Sequence, residues 1–357
     1  MQLSSLRVYQ LRNLEDITLT PVAGLNVITG PNASGKTALL EAIYLLARGR
    51  SFRTHRIREL IRHNQDRLQV TARIREPSGR EAPVGLERDR RQTRLRYDGA
   101  SVRNLSEHAR RLPLVLITPD SHMLINGSPV QRRRWLDWAM FHVEPAYLAC
   151  WQDCFHALRQ RNTLLRRSGP ADQLASWEQA LAEYSTRLDA LREGFVQKLS
   201  FIFEGLIGDL LASEGGVRYQ PGHDAAMDYG SQLAAARNRD RERGFTQAGP
   251  HRSDLFFEYR AMEARAILSR GQAKLYIAGL MLAFARMLVT DGLSPLILVD
   301  DLPAELDENA RHRFMTALAA VGGQAFVTAI EPDMPADGWS AVCRFHVEQG
   351  CRAEVIQ

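Results

Sequence analysis

Two short stretches of the chain carry residue types able to handle a phosphate ester. The first is Gly30-Pro31-Asn32-Ala33-Ser34-Gly35-Lys36-Thr37, which fits G-x-x-x-x-G-K-[ST]. In such a loop the glycines let the backbone approach phosphate oxygens. Successive N–H groups, backed by the N-terminus of the next helix, then hold the negative charge. Lys36 is expected to reach the β- and γ-phosphates of a nucleoside triphosphate, and the Thr37 hydroxyl to ligate Mg²⁺. The second stretch is "PLILVDDL", an apolar run that ends in Asp300 and Asp301. Asp300 is expected to hold the Mg²⁺, directly or through water, and Asp301 to orient or deprotonate an attacking water. Lys36 and Asp301 are therefore the candidate catalytic residues. An aspartate where a longer glutamate could sit suggests slow hydrolysis. Each stretch alone has a plain reading, a Gly-rich turn or an acidic turn after a strand. Their pairing weighs against it.

These residues need elements to position them. Residues 3–9, 14–20 and 25–29 read as strands with a turn at 21–24, leading into the loop and a helix at about 36–48. A basic, weakly helical stretch follows. Alternating runs at 66–75, 82–87 and 93–97 read as further strands, with Asp98-Gly99 as a hairpin turn before 100–103. "LPLVLITP" is a continuous apolar run and predicts a central strand. From about 128 to 243 the pattern is almost wholly helical. Leu174, Trp177, Leu181, Tyr184, Leu188, Leu191 and Phe195 recur at steps of three and four, and Leu148, Trp151, Phe155, Leu158 and Leu165 make a similar stripe. Two long antiparallel helices explain this. Strands return with "DLFFEY", "ARAIL", "PLILVDD" and "QAFVTAI". The predicted fold class is α/β: an ATPase lobe over 1–127 and 245–357, interrupted by a helical domain over 128–244.

The spacing adds a third element. More than 250 residues separate Lys36 from Asp300, and shortly before the acidic strand stands Ser269-Arg270-Gly271-Gln272. This tetrapeptide matches an S-x-G-Q signature that opens a helix toward an anion. Alone it would be a helix N-cap. Between a phosphate loop and "LILVDD", with "AELD" (Ala304 to Asp307) after it, it resembles the ABC-type ATPases of DNA maintenance, the group that includes the structural-maintenance-of-chromosomes heads. The likeness extends to the bacterial recombinational-repair branch through "LRNL" at 11–14, "SFR" at 51–53, "LITPDSHMLINGSPVQRRRWLDW" at 116–138, "AGPHRSDL" at 248–255 and "VDDLPAELD" at 299–307. Ser253 and Pro303 depart from that branch's usual pattern.

That resemblance implies an ABC-type head lobe with an inserted helical arm and ATP as the nucleotide. The signature of one copy would complete the ATP site of a second, so that Ser269 meets the γ-phosphate held by Lys36 of the other copy in an ATP-dependent homodimer. Arg12 and Asn13 match positions near the nucleotide, and Asp307 and Thr328 match the turn after the acidic strand and the switch position. The implied partners are DNA, duplex or with gaps and junctions, and the proteins RecO, RecR and RecA. A weak DNA-dependent ATPase activity and a cytoplasmic location go with it. A transporter ATPase subunit is the competing reading, but such subunits carry a histidine at the switch position. A small-molecule kinase leaves "LSRGQ" unexplained.

Charge and composition set the remaining bounds. The net charge is +5, and 43 of the 46 basic residues are arginines. Lys36 is therefore informative, and any single arginine cluster less so. Arg50, Arg53, Arg56 and the run Arg132, Arg133, Arg134 are the candidate DNA contacts, with a solvated surface as the plain alternative. "RQRNTLLRR" (Arg159 to Arg167) reads as a solvated helix face. The chain opens without a basic segment followed by an apolar run, so no secretory signal is expected. "LYIAGLMLAFARMLV" contains Arg286 and reads as a core helix. Cys150 and Cys154 fall in an aromatic stripe and read as structural.

Overall fold

The computed structural model describes residues 1–331, 333–348, 350 and 352–356. The chain divides into two compact units. One comprises Met1–His122, Leu206–Ala212 and Ser269–Gln357, and the other Met123–Gly205 and Ser213–Leu268.

The first unit contains two six-stranded sheets. One is antiparallel, from β1 (Gln2–Leu11), β2 (Leu14–Leu19), β4 (Arg67–Arg75), β5 (Glu81–Asp89), β6 (Thr93–Tyr97) and β7 (Ala100–Ser101), in the order β2-β1-β4-β5-β6-β7. Its strands alternate: in β4 Leu68, Val70, Ala72 and Ile74 are buried, and Arg67, Thr71, Arg73 and Arg75 are exposed. Such period-two patterning marks a sheet with one wet face. The other sheet runs β15-β14-β3-β13-β12-β8, with β3 (Leu25–Thr29), β8 (Leu114–Ile117), β12 (Leu296–Val299), β13 (Gln324–Thr328), β14 (Val342–Glu348) and β15 (Arg352–Ile356). Every residue of β3, β12 and β13 is buried, as in parallel sheets covered on both faces. The helix α1 (Lys36–Arg48) shares one apolar core with residues of both sheets. β8 lies at the sheet edge, not its centre. Its apolar run reflects cover by α10 (Arg270–Thr290), and composition reports cover, not neighbours. α10 is the one helix among the described residues long and apolar enough to cross a membrane. Fourteen of its residues are buried within the protein, as befits a core helix. Short α2 (Leu105–Arg111) and α11 (Glu308–Val321) complete the unit's helices. In place of the weakly helical basic stretch there is a single 3₁₀ turn at Ile57–Glu59.

In the second unit, α3 (Met123–Asn126) and α4 (Pro129–Val143) precede α5 (Tyr147–Arg166) and α6 (Ala171–Leu211), of which the residues from Leu206 on belong to the first unit. Tyr147 bonds Arg192, Cys154 bonds Ser185 and Arg161 bonds Glu178, so α5 and α6 run antiparallel. Leu174, Leu181, Leu188 and Phe195 are buried along α6, but the alternate inward positions are the polar Glu178, Ser185 and Arg192. The solvated-face reading of Arg159 to Arg167 fails at Arg161, which is fully buried. This unit also departs from the expected helical block. It extends to Leu268 and not to 244, because β10 (Asp254–Tyr259) pairs with β9 (Gly215–Gln220) and β11 (Met262–Glu263) in a three-stranded sheet. "ARAIL" is helix α9 (Ala264–Ile267) and not a strand. Two short helices, α7 (Tyr229–Ala235) and α8 (Arg237–Arg243), lie between β9 and β10.

Candidate nucleotide-binding site

The phosphate loop runs from the end of β3 into α1. Two of its glycines are required by space as well as by backbone. At Gly30 (φ +145°) a Cβ would lie 2.4 Å from the Val347 carbonyl oxygen, and at Gly35 (φ +118°) 2.4 Å from Leu14 Cδ2. Asn13 Nδ2 donates to the Ala33 carbonyl at 2.8 Å, steadying a residue that itself has φ +64°. Lys36 is almost fully buried, and its Nζ donates to the carbonyls of Gly30 (2.8 Å) and Pro31 (3.2 Å). It faces no carboxylate among the described residues. The Ser34 hydroxyl is buried with no hydrogen-bond partner. A buried cation on neutral carbonyls beside an unsatisfied hydroxyl suits an anionic ligand.

The acidic pair follows β12. Thr37 Oγ1 donates to Asp300 Oδ1 at 3.0 Å, which joins the two ends of the lobe. Thr328, fully buried at the end of β13, accepts from the Asp301 N–H at 2.7 Å. Its hydroxyl lies 3.0 Å from Asp300 Oδ1 and 3.2 Å from Asp301 Oδ1. One hydroxyl proton serves only one carboxylate at a time. Burial pushes the Asp300 carboxyl above the usual range. The Thr328 hydrogen bond opposes this and the neighbouring Asp301 charge adds to it. Asp301 holds a left-handed backbone, φ +46°, unusual for a non-glycine residue and directed into the site. Thr37 and Asp300 together offer only hard oxygen donors, which fits Mg²⁺.

The loop, Asp301, Arg12 and Asn13 line an open cleft of about 580 Å³. Its far wall is Arg53, Glu59, Ile61 and His63, brought there because Arg12 N–H bonds the Leu60 carbonyl and Leu11 bridges Ile61. Behind both cleft arginines sits Glu41 of α1, fully buried. It accepts two bonds from Arg12 (2.9 and 3.0 Å) and one from the Ser51 hydroxyl. Ser51 Oγ in turn accepts from the N–H groups of Arg53 (2.9 Å) and Thr54 (3.1 Å). The sequence reading missed Glu41. A lone glutamate inside the apolar run "TALLEAIYLL" was the available signal.

Comparison with known proteins gives a consistent picture. The family described as RecF/RecN/SMC N terminal domain matches residues 2–353. The chain is 42% identical over 354 residues to the DNA replication and repair protein RecF of Thioalkalivibrio sulfidiphilus, with 98% of each chain covered. It is 40% identical to the protein of the same name from Azotobacter vinelandii, again over 98% of each. The chain belongs to the RecF family. The solved structure of a recombination mediator protein, RecF-ATP in the RecFOR pathway, superposes with a TM-score of 0.83 at 26% identity, covering 99% of this chain and 97% of that one. An Smc head bound to the C-terminal winged-helix domain of ScpA matches at a TM-score of 0.65 and 15% identity, which shows the shared ABC-type ATPase head fold alone.

Of the other candidates of this RecF-family chain, all but Arg53 lie outside the cleft. Ser269, Arg270 and Gly271 are exposed at the start of α10. Ser269 Oγ accepts from Gln272 N–H and Gln272 Oε1 accepts from Ser269 N–H, a reciprocal cap that leaves the tetrapeptide facing solvent. Asp307 caps α11, accepting from Ala310 N–H at 2.8 Å, and does not line the cleft. The candidate DNA arginines divide. Arg132 is buried, forks onto Asp254 (2.6 and 2.7 Å) and bonds the Gly127 carbonyl, so its charge is engaged inside the fold. Arg133 donates to the Ser253 carbonyl. Arg53 lines the nucleotide cleft, and exposed Arg56 pairs with Glu59. Arg50 and Arg134 are exposed.

Proposed function

We propose that this chain is an ATP-dependent DNA-binding protein of recombinational repair and replication maintenance. In this reading ATP with Mg²⁺ acts as a switch that pairs two copies on duplex, gapped or junction DNA. One observation carries the proposal. Lys36, Thr37 and Asp301 line one cleft, with Asp300 bonded to Thr37, whereas the signature from Ser269 to Gln272 is absent from the cleft's lining and its first three residues are exposed. A second copy could supply what the first lacks. Bound Mg²⁺, held by Thr37 and Asp300, would neutralise phosphate charge. Lys36 and the loop amides hold the phosphates. Thr37 and Asp300 hold the ion, Asp301 orients water, and Thr328 couples the two carboxylates. With the shorter aspartate as the orienting group, hydrolysis is slow and serves release. RecR, RecO and RecA are the partners the family points to, in the cytoplasm, at single-strand gaps where the recombinase is loaded.

Sedimentation with a slowly hydrolysed ATP analogue tests this. The wild type should run as a dimer. Ser269→Arg should stay monomeric while still binding nucleotide, and Lys36→Met should fail to bind nucleotide at all. A wild type that remains monomeric under saturating nucleotide would refute the paired-site reading.

A further inference from the structure

Two of the arginines singled out in the sequence for DNA, Arg132 and Arg133, are engaged in the fold, and a further exposed set lies elsewhere in the chain. In the second unit the end of α5 lies against α8. Arg161 is fully buried between them and bonds Asp240 of α8 (2.8 Å) and Glu178 of α6 (3.1 Å). Arg237 closes the same network onto Glu178. The two inward carboxylates are thereby matched by two inward arginines. Outside them, Arg159, Arg166, Arg167, Arg239, Arg241 and Arg243 are all exposed, and none makes an ion pair among the described residues. From Arg159 to Asp172 and from Arg237 to Gly244 the exposed acids are only Asp172 and Glu242.

Two of the six are held to the fold, at the turn between α5 and α6 and beyond α8. The Arg166 side chain packs at Gly244, where an added Cβ would lie 3.2 Å from Arg166 Cγ. Arg241 Nη2 donates to the Gly169 carbonyl at 3.4 Å, and Thr246 bonds Asn162 Oδ1 through both its N–H and its hydroxyl at 2.8 Å. Positive residues at two helix C-termini relieve the helix dipoles, but that effect is confined to the last turn and leaves Arg159 and Arg239 unexplained. A protein partner would want an apolar anchor. The nearest exposed large apolar side chain in sequence, Phe245, lies under the Arg252 guanidinium at 5.8 Å. Guanidinium forks without carboxylate partners and without an apolar centre match a row of phosphates.

We propose that this end of the second unit, built from the α5 C-terminus and α8, is a sequence-independent contact for the phosphate backbone of duplex DNA. The inference rests on the DNA-binding reading above and gives it a location. Phosphate contacts of this kind position the duplex without reading bases, and they release counterions.

The test is a salt titration of binding to a blunt duplex and to a gapped duplex, with ATP analogue and Mg²⁺. Wild type is compared with Arg166→Ala/Arg167→Ala and with Arg239→Ala/Arg243→Ala. Each double variant should bind at least about tenfold more weakly near physiological salt, and its log–log salt slope should flatten by roughly one unit per lost contact. Both should dimerise with nucleotide and melt like wild type. The second pair guards against a packing effect at Gly244. If wild type binds DNA and both variants keep its affinity and slope, the location is refuted while the function stands. Variants that bind DNA normally but lose an acidic protein partner would also overturn the proposal. If wild type binds no DNA, the functional reading itself fails.

Discussion

Arg161 in the second unit and Asp300 in the first are both buried charges, yet their surroundings differ. The five N–H groups of Arg161 are matched by five bonds, to Glu178 (two), Asp240, Thr246 and the Leu233 carbonyl. Arg192 is treated alike by Asp137, Tyr147, Ser253 and the Pro250 carbonyl. At the cleft, Asp300 accepts from Thr37 but competes with Asp301 for the Thr328 proton, Lys36 rests on neutral carbonyls, and the Ser34 hydroxyl has no partner. Arg161 and Arg192 have their charges closed by neighbours within the second unit. The cleft leaves its own open, which costs stability and favours a ligand that completes the set.

The largest test of that contrast is Arg161→Leu. It leaves buried Asp240 without a charged partner and Glu178 with Arg237 alone, and breaking a buried pair in this way costs roughly 3–5 kcal/mol. Thermal and denaturant unfolding should show the second unit melting early. Nucleotide binding at the cleft should persist at temperatures below that transition. Loss of less than about 1 kcal/mol would mean that the network is not stabilising as built.

Acid should strain the closed unit next. Burial, aided by Arg252 and Arg133 and opposed by the Thr246 bond, pushes the His251 imidazole down to about 4. The unfolded chain takes up that proton near 6.5. A depressed value means that the contribution is fully present above about pH 6.5 and is lost as pH falls toward 4, on the order of 3 kcal/mol at most. His251→Gln should flatten this limb of the stability profile. An unchanged limb would assign the acid sensitivity elsewhere.

The smallest expected effect is at the cleft. The Asp300 carboxyl is raised in the fold, so its contribution is present below the unfolded value and lost as pH rises through the folded one. At neutral pH the charge is therefore a burden. Asp300→Asn should not lower the melting temperature and should raise it slightly, within about 1 kcal/mol, while Mg²⁺-dependent nucleotide binding is lost. A clear destabilisation would place Asp300 among the closed, structural charges.

The local elements of the site could be read from the chain, since a phosphate loop and an apolar strand ending in aspartates are contiguous patterns set by backbone geometry and hydrophobic cover. Part of the seam on α6, Leu174, Leu181, Leu188 and Phe195, was readable for the same reason, because it repeats at helical spacing, whereas its alternate positions were not, since the inward residues there are the polar Glu178, Ser185 and Arg192. Other features depend on residues far apart in sequence. Glu41 joins Arg12 to Ser51 and through it to Arg53, and no spacing rule predicts that. β8 is at the sheet edge although its run is as apolar as a central strand, because burial by a helix and burial by a neighbouring strand leave the same composition.

Arginine shows the limit best. The sequence by itself determined that this chain is rich in it, and where each one lies along the helices. It could not separate Arg132 and Arg161, enclosed and fully matched, from Arg166, Arg167 and Arg243, exposed and unmatched. That distinction belongs to the tertiary structure. A guanidinium has the same charge everywhere, and only the carboxylates and carbonyls that folding brings to it decide whether that charge is used inside the protein or offered outside it.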